Sequence, residues 1–143
     1  MDIHNLTNSL VKKYNTRNPF DILKCKNAIV LFVPLDGVRG FYQYFQRNNI
    51  IYINEALSDR EKMFVCAHEL GHMLMHKRSN AVYMDSKTLL NTDKYELDAN
   101  LFAANLLISD ECIMENKDLT VQQLARLLGY EKSIVELRLS HRQ

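Results

Sequence analysis

His68, Glu69 and His72 stand in the segment AHELGH (67–72), inside an otherwise apolar run from Phe64 to His76. On a helix, His68 and His72 are four apart and project from one face on successive turns. Two imidazoles so placed can reach one metal ion at about 2.0–2.1 Å. Glu69 follows the first histidine and is turned by about 100° around the axis, beside the ion rather than on it. A carboxylate there can take a proton from a water activated at the ion, which is the H-E-x-x-H arrangement of zinc hydrolases with glutamate as general base. Gly71 costs a helix interior about 1 kcal/mol relative to Ala. Close approach of a strand or of bound substrate is therefore expected at that position.

A catalytic zinc takes three protein ligands and keeps one position open. Candidates for the third are Glu96, Asp98, His76, Asp93 and Asp85. One further turn down the same helix, His76 lies about 12 Å along the axis from His68, too far to share a tetrahedral ion with it. The segment DKYELDANLFAANLL (93–107) is the better source. On a helix Glu96, Ala99, Asn100 and Ala103 share one face. The small alanines would let another helix approach and aim Glu96 at the metal. Asn100 could hydrogen-bond a ligating histidine. Asp98, on a different side with Phe102, is the reserve candidate. An Asp93–Glu96 capping pair competes with metal binding by Glu96.

These residues need elements to hold them. Residues 2–15 read as an amphipathic helix, and Asn18-Pro19 opens a short one to about Lys24. Three strands follow in AIVLFVP (28–34), GVRGFYQYFQ (37–46) and NIIYIN (49–54), with turns at Asp36-Gly37 and Asn48-Asn49. Ser58 and Glu61 form a capping box that starts the histidine-bearing helix, which runs to about His76. Residues 77–92 read as a loop, 93–107 as a helix. A helix starts at Thr120, with Gln123 completing its capping box and Gly129 as its C-cap, and a last helix covers about 131–140. The expected architecture is α+β: a small, mostly antiparallel three-stranded sheet packed on the H-E-x-x-H helix and further helices, in one domain spanning 1–143. Within it, 1–57 supply the first helices and the sheet, 58–108 the zinc-binding helices, and 109–143 a helical pair.

The 143 residues suffice for one buried core, and 47% hydrophobic with 24% charged is an ordinary globular balance. A net charge of +1 gives nucleic-acid binding no support. No basic segment precedes a long apolar core at the start, and no apolar stretch approaches the roughly 18–20 residues of a membrane span. Cys25, Cys66 and Cys112 fit no disulfide or zinc-ribbon spacing, so a reducing cytoplasm with three core thiols is expected.

AHELGHMLMH, followed by ELDANLFAANLL, resembles the ImmA/IrrE family of HExxH metallopeptidases. VKKYNTRNPFDILK, PLDGVRGFYQYF, IIYIN and REKMFVCAHELGH extend the likeness, which covers nearly all of the chain to about Ile108. The resemblance implies a zincin-like fold, one zinc ion per chain held by His68, His72 and Glu96, and Glu69 as catalytic base. The family usually has a proline soon after the second motif, where this chain has Ser109, which implies a different helix ending. Long relatives carry a sensor-like C-terminal domain. This chain looks like the short form of phages and mobile elements, for which the resemblance implies cleavage of a helix-turn-helix repressor.

Two questions stay open at this level. An oxyanion donor could be Tyr42, Tyr44, Tyr83, Tyr95 or His76, and GFYQYF could be the strand edge along which a peptide lies. The tail, LTVQQLARLLGYEKSIVELRLSH, has the spacing of a helix-turn-helix. The alternative reading is thus a non-catalytic DNA- or repressor-binding module. Glu131 and Glu136 would meet phosphates badly, with only Lys132, Arg138 and Arg142 to offset them. Packing of this pair on the core, or docking of the repressor, is the preferred role.

Overall fold

The computed structural model describes residues 2–77, 82–84 and 94–140. Helix α1 (Ile3–Tyr14) starts at Asp2, whose carboxylate accepts from Asn5 N, and ends at Asn15 in the left-handed region. Helix α2 (Pro19–Cys25) is capped by Asn18 with Pro19 in the first turn, where a missing N–H costs nothing. Strands β1 (Ile29–Val33), β2 (Val38–Phe45) and β3 (Asn48–Asn54) lead into helix α3 (Asp59–Met75), with the Ser58–Glu61 capping box formed from both sides.

Among the described residues the sheet has four strands, not three, in the order β1-β3-β2-β4. The added strand is β4 (Val82–Met84), within the segment expected to be a loop; the rest of that segment, apart from Lys77, lies outside the described residues. Three residues are too few to show a period of two, and β4 is held by antiparallel pairing with β2. β2 and β3 are antiparallel, while β1 pairs with β3 in parallel. β4 thus covers the outer side of β2 at Val38, Gly40 and Phe41, while Tyr42 to Phe45 pair only with β3 among the described residues.

Phe45 pairs with Asn48, so the hairpin turns at Gln46-Arg47 rather than at Asn48-Asn49. Both turn residues have positive φ (49° and 66°), as a type I′ turn demands. This register sends Tyr42, Ile51 and Ile53 inward, all essentially fully buried beneath α3. A one-residue slip would turn that whole set to the outer face.

Helix α4 (Lys94–Leu107) packs on α3, and its last carbonyls, those of Asn105 and Leu106, accept from the Arg17 guanidinium at 3.2 and 3.1 Å. Asp93, the expected cap, lies outside the described residues. Ser109 then opens a short helix absent from the sequence reading, α5 (Asp110–Glu115), by accepting from Cys112 N. The residue that departs from the family pattern thus starts a new element. Helices α6 (Val121–Leu128) and α7 (Lys132–Ser140) meet at Gly129, whose φ of 80° suits glycine.

The helix-turn-helix-like pair is part of the packed body. Ile134 joins the main core, and Val135 a satellite core with Ile108, Ile113, Leu124 and Ala125. Arg138, counted among the cations available for phosphate, is 1% exposed. It donates from Nε to Ile108 O at 2.8 Å and pairs with Asp110 at 2.6 Å. Its role is to tie α7 to the start of α5. Of the three thiols expected in the core, Cys66 is buried and Cys112 half-buried, while Cys25, on the last turn of α2, is exposed. Among the described residues no helix is long and apolar enough to cross a membrane.

Candidate metal centre

Helix α3 buries His68, Glu69 and His72 together, each at most 1% exposed. Such burial of a carboxylate and two imidazoles needs compensating partners. Two close approaches build the pocket around them. Gly71 lies under Phe102 of α4: a Cβ there would stand 3.1 Å from Cδ1 and 3.3 Å from Cβ of that ring. The tight contact at this glycine is therefore with a crossing helix, not with a strand. On the other side Gly40 brings β2 against α3, where an added Cβ would lie 2.6 Å from Tyr52 O, 2.7 Å from Val65 Cγ1 and 3.6 Å from Glu69 Oε2.

Ala99 and Ala103, both fully buried, let α4 cross close enough for Glu96 to reach the histidines. Its Oε2 lies 3.0 Å from His68 Nε2 and its Oε1 2.8 Å from His72 Nε2, while the two Nε2 atoms are 3.2 Å apart. Ligands bonded to one tetrahedral ion at about 2.05 Å stand about 3.3 Å from each other. The triangle thus has the dimensions of a ligand set.

Hydrogen bonding on the far side of each ring sets the tautomers. His68 Nδ1 is 2.8 Å from Asn100 Oδ1 and donates to it, so Nε2 presents a lone pair. His72 Nδ1 is 3.1 Å from His76 Nδ1. Burial, then the neighbouring His72, lowers the pKa of His76, which favours a neutral ring able to accept that bond. Its Nε2 then faces Asp98 at 3.5 Å, and Tyr95 stacks on it at 4.2 Å. Asp98, the reserve candidate, thus serves His76 and Lys94 rather than the triangle. Burial likewise lowers the pKa of His68 despite the opposing pull of Glu96.

Two imidazole nitrogens and a carboxylate consequently converge in one buried pocket. Glu96 Oε1 is 2.8 Å from His72 Nε2 but makes no hydrogen bond of good geometry among the described residues. Burial alone would raise the Glu96 carboxyl, but His68 and His72 hold it down at about 2, so it is ionised. A divalent cation is the partner such a donor set lacks, and the residues fit one.

Glu69 stands one step back. Its carboxylate, with the ligating nitrogens of His68 and His72, falls within a 4.8 Å cluster. Both its oxygens are buried without partners, and burial, then the charge of Glu96, pushes its pKa well up. Separations of 2.8–3.2 Å favour Glu96 over Glu69 as the third ligand.

The tyrosines divide cleanly. Tyr42 donates to Asn49 Oδ1 at 2.7 Å in the core, Tyr44 lies under Lys77, and Tyr95 covers His76. Tyr83 of β4 stacks on His68 at 4.0 Å, nearly parallel. Burial pushes its hydroxyl to about 12, so it stays protonated. Sequence reasoning left Tyr83 among equals because its strand had no periodic signal.

A helix bearing two histidines and a glutamate, crossed by a second helix that delivers a carboxylate, defines an α+β protein of the metallopeptidase class. The chain belongs to the peptidase family described as the IrrE N-terminal-like domain, whose model matches residues 24–140. It is 39% identical over 132 residues to "Uncharacterized immunity region protein 2" of Bacillus phage phi105, covering 90% of this chain and 84% of that one. It is 29% identical over 138 residues to "Metallopeptidase ImmA" of Bacillus subtilis (strain 168), covering 92% and 80%.

Proposed function

We propose that the whole chain acts as one zinc-dependent endopeptidase domain. His68, His72 and Glu96 hold the ion and Glu69 is the general base. The observation that carries this is the convergence of two Nε2 atoms and an ionised carboxylate at 2.8–3.2 Å, beside a second buried carboxylate with no hydrogen-bond partner among the described residues. Zinc suits a nitrogen-rich site with an open position.

When bound, the ion supplies Lewis-acid activation of a water and of the scissile carbonyl. The remaining work falls to the chain. Glu69 accepts the proton released as the water attacks and hands it to the departing amine. Asn100 and His76 keep the imidazoles oriented with their Nε2 lone pairs inward. Phe102, Ala99 and Ala103 exclude bulk water from the far side of the helix pair.

The substrate we assign is a helix-turn-helix repressor of a phage or mobile element, cleaved in the cytoplasm. Support comes from the resemblance to the short ImmA/IrrE form and from a relative whose name places it in a phage immunity region. The test is co-incubation of the zinc-loaded chain with purified repressors from the same phage or mobile element, followed by intact mass. Cleavage abolished by a chelator and by Glu69→Gln is expected. A repressor left whole by the zinc-loaded protein, or cut equally well by Glu69→Gln, would refute the assignment.

A further inference from the structure

A cleft lies immediately beside the proposed ion site, between α3, β4 and the turn joining α6 to α7. Phe64, one turn before His68 on the same face of α3, forms its floor, and Tyr83, stacked on His68, forms one wall. Tyr130 and Ile134, from the helix-turn-helix-like pair, form the opposite wall. Phe64 is the hinge of the arrangement: its ring centroid is 6.4 Å from that of His68 and 6.3 Å from that of Tyr130.

We propose that this cleft is a substrate subsite that takes a bulky apolar or aromatic side chain flanking the scissile bond. The inference rests on the peptidase reading and deepens it by naming what the peptide must carry. Distance supports the assignment. One helical turn separates Phe64 from His68, about 6 Å along the axis. Successive Cα atoms of a peptide are about 3.8 Å apart, so a side chain next to a bond held at the ion reaches the cleft without any bend.

The chemistry of the walls selects the side chain. Phe64, Tyr83, Tyr130 and Ile134 offer apolar surface to another ring, chiefly through edges, since His68 stacks on Tyr83 and Arg39 and Arg60 lie over the Tyr83 and Tyr130 rings. The charges that line the cleft are balanced: Arg39, largely buried over the Tyr83 ring, and Arg60 stand with Glu61 and Glu131. Arg39 already pairs with Glu131 at 3.2 Å, and Arg60 lies over the Tyr130 ring. A charged substrate side chain would lose water here and meet committed partners. The C-terminal pair, which buries its cation Arg138, thus gains a role as one side of the peptide groove.

The chain has no tryptophan, so the fluorescence of a blocked ten-residue peptide with one central Trp reports only the peptide. Titrated against the full-length protein, it should show a saturable blue shift. The same peptide with Phe or Leu at that position should displace it, and Asp or Lys versions should not. Tyr130→Ala should weaken binding about 10-fold, the size expected for losing one aromatic wall. Ile134→Ala serves as a second variant, each checked by thermal melting.

Equal displacement by Asp and Leu peptides would overturn the subsite, as would wild-type affinity in both folded wall variants. If the zinc-loaded protein cuts a repressor with no apolar residue beside the cut, the subsite fails and the peptidase reading stands. If the Trp peptide binds but neither peptide nor repressor is ever cut, the peptidase reading fails and takes the substrate role of the cleft with it.

Discussion

His72 and His76 face each other through their Nδ1 atoms at 3.1 Å, one turn apart on α3 and at its end. The second histidine is too far along the axis to share an ion with His68, but it is well placed to fix the ring of His72, the proposed ligand. Partners of this kind tune metal affinity about 10–100-fold. His76→Ala should therefore weaken zinc binding by about that factor in chelator competition. The metal-free protein should melt somewhat lower as well, since the buried ring bonds His72 and packs under Tyr95, so affinity is compared at a temperature where both proteins are folded. Unchanged affinity would leave His76 as packing under Tyr95.

Gly71 faces the Phe102 ring so closely that a methyl group would have to displace it. Alanine would improve helix propensity by about 1 kcal/mol. Phe102, however, is fully buried and meets the site partly through its Cβ, which moves only with the α4 backbone. Overpacking of this type costs about 1–3 kcal/mol. Gly71→Ala should thus be net destabilising and should also weaken metal binding, because α4 carries Glu96. A urea midpoint equal to or above wild type would contradict this.

Glu69 carries a carboxyl whose pKa is raised in the folded protein by burial and by Glu96. A raised acid pKa destabilises the fold once the pH exceeds the unfolded value, because the unfolded chain then releases a proton that the folded chain retains. In the metal-free protein, Glu69→Gln should melt higher than wild type at neutral pH. The difference should vanish below the ordinary value of 4.5. With zinc present the same variant should lose activity by about 100-fold or more. Parallel melting curves across the whole pH range would argue against a strained carboxyl.

Asp110 titrates in the opposite sense. A hydrogen bond from Arg138 holds its carboxyl below the ordinary 3.8, and the contribution to stability is present above that pH and lost as pH falls through the folded value. Asp110→Asn should remove this acid-dependent part while leaving the Arg138–Ile108 bond. Arg138→Ala should cost more, about 2 kcal/mol, since it also leaves a cavity and an unpaired carbonyl. Thermal melts of both variants at neutral and acid pH measure the two effects separately.

Much of the framework was legible because it rests on short-range rules. The four-residue spacing of His68 and His72, the Ser58–Glu61 and Thr120–Gln123 boxes, the Asn18-Pro19 entry and the Gly129 cap are statements about one helical turn each. The same holds for the shared face of Glu96, Ala99, Asn100 and Ala103. Such patterns need only the helix period and the unsatisfied groups at its ends.

Tertiary structure decided what depends on residues far apart in the chain. Gln46-Arg47 and Asn48-Asn49 are both acceptable turns locally, and the inward burial of Tyr42, Ile51 and Ile53 chooses the first. Three residues become β4 because β2 offers them a ladder, and that pairing places Tyr83 on His68. Ser109 could end one helix or begin another, and Arg138 anchors the beginning. Glu96 reaches His68 and His72 because Phe102 fits over Gly71 and two alanines admit α4, whereas Asp98, on another side of α4, is turned to His76. Local spacing determines which side chains share a face. Only packing determines which faces meet.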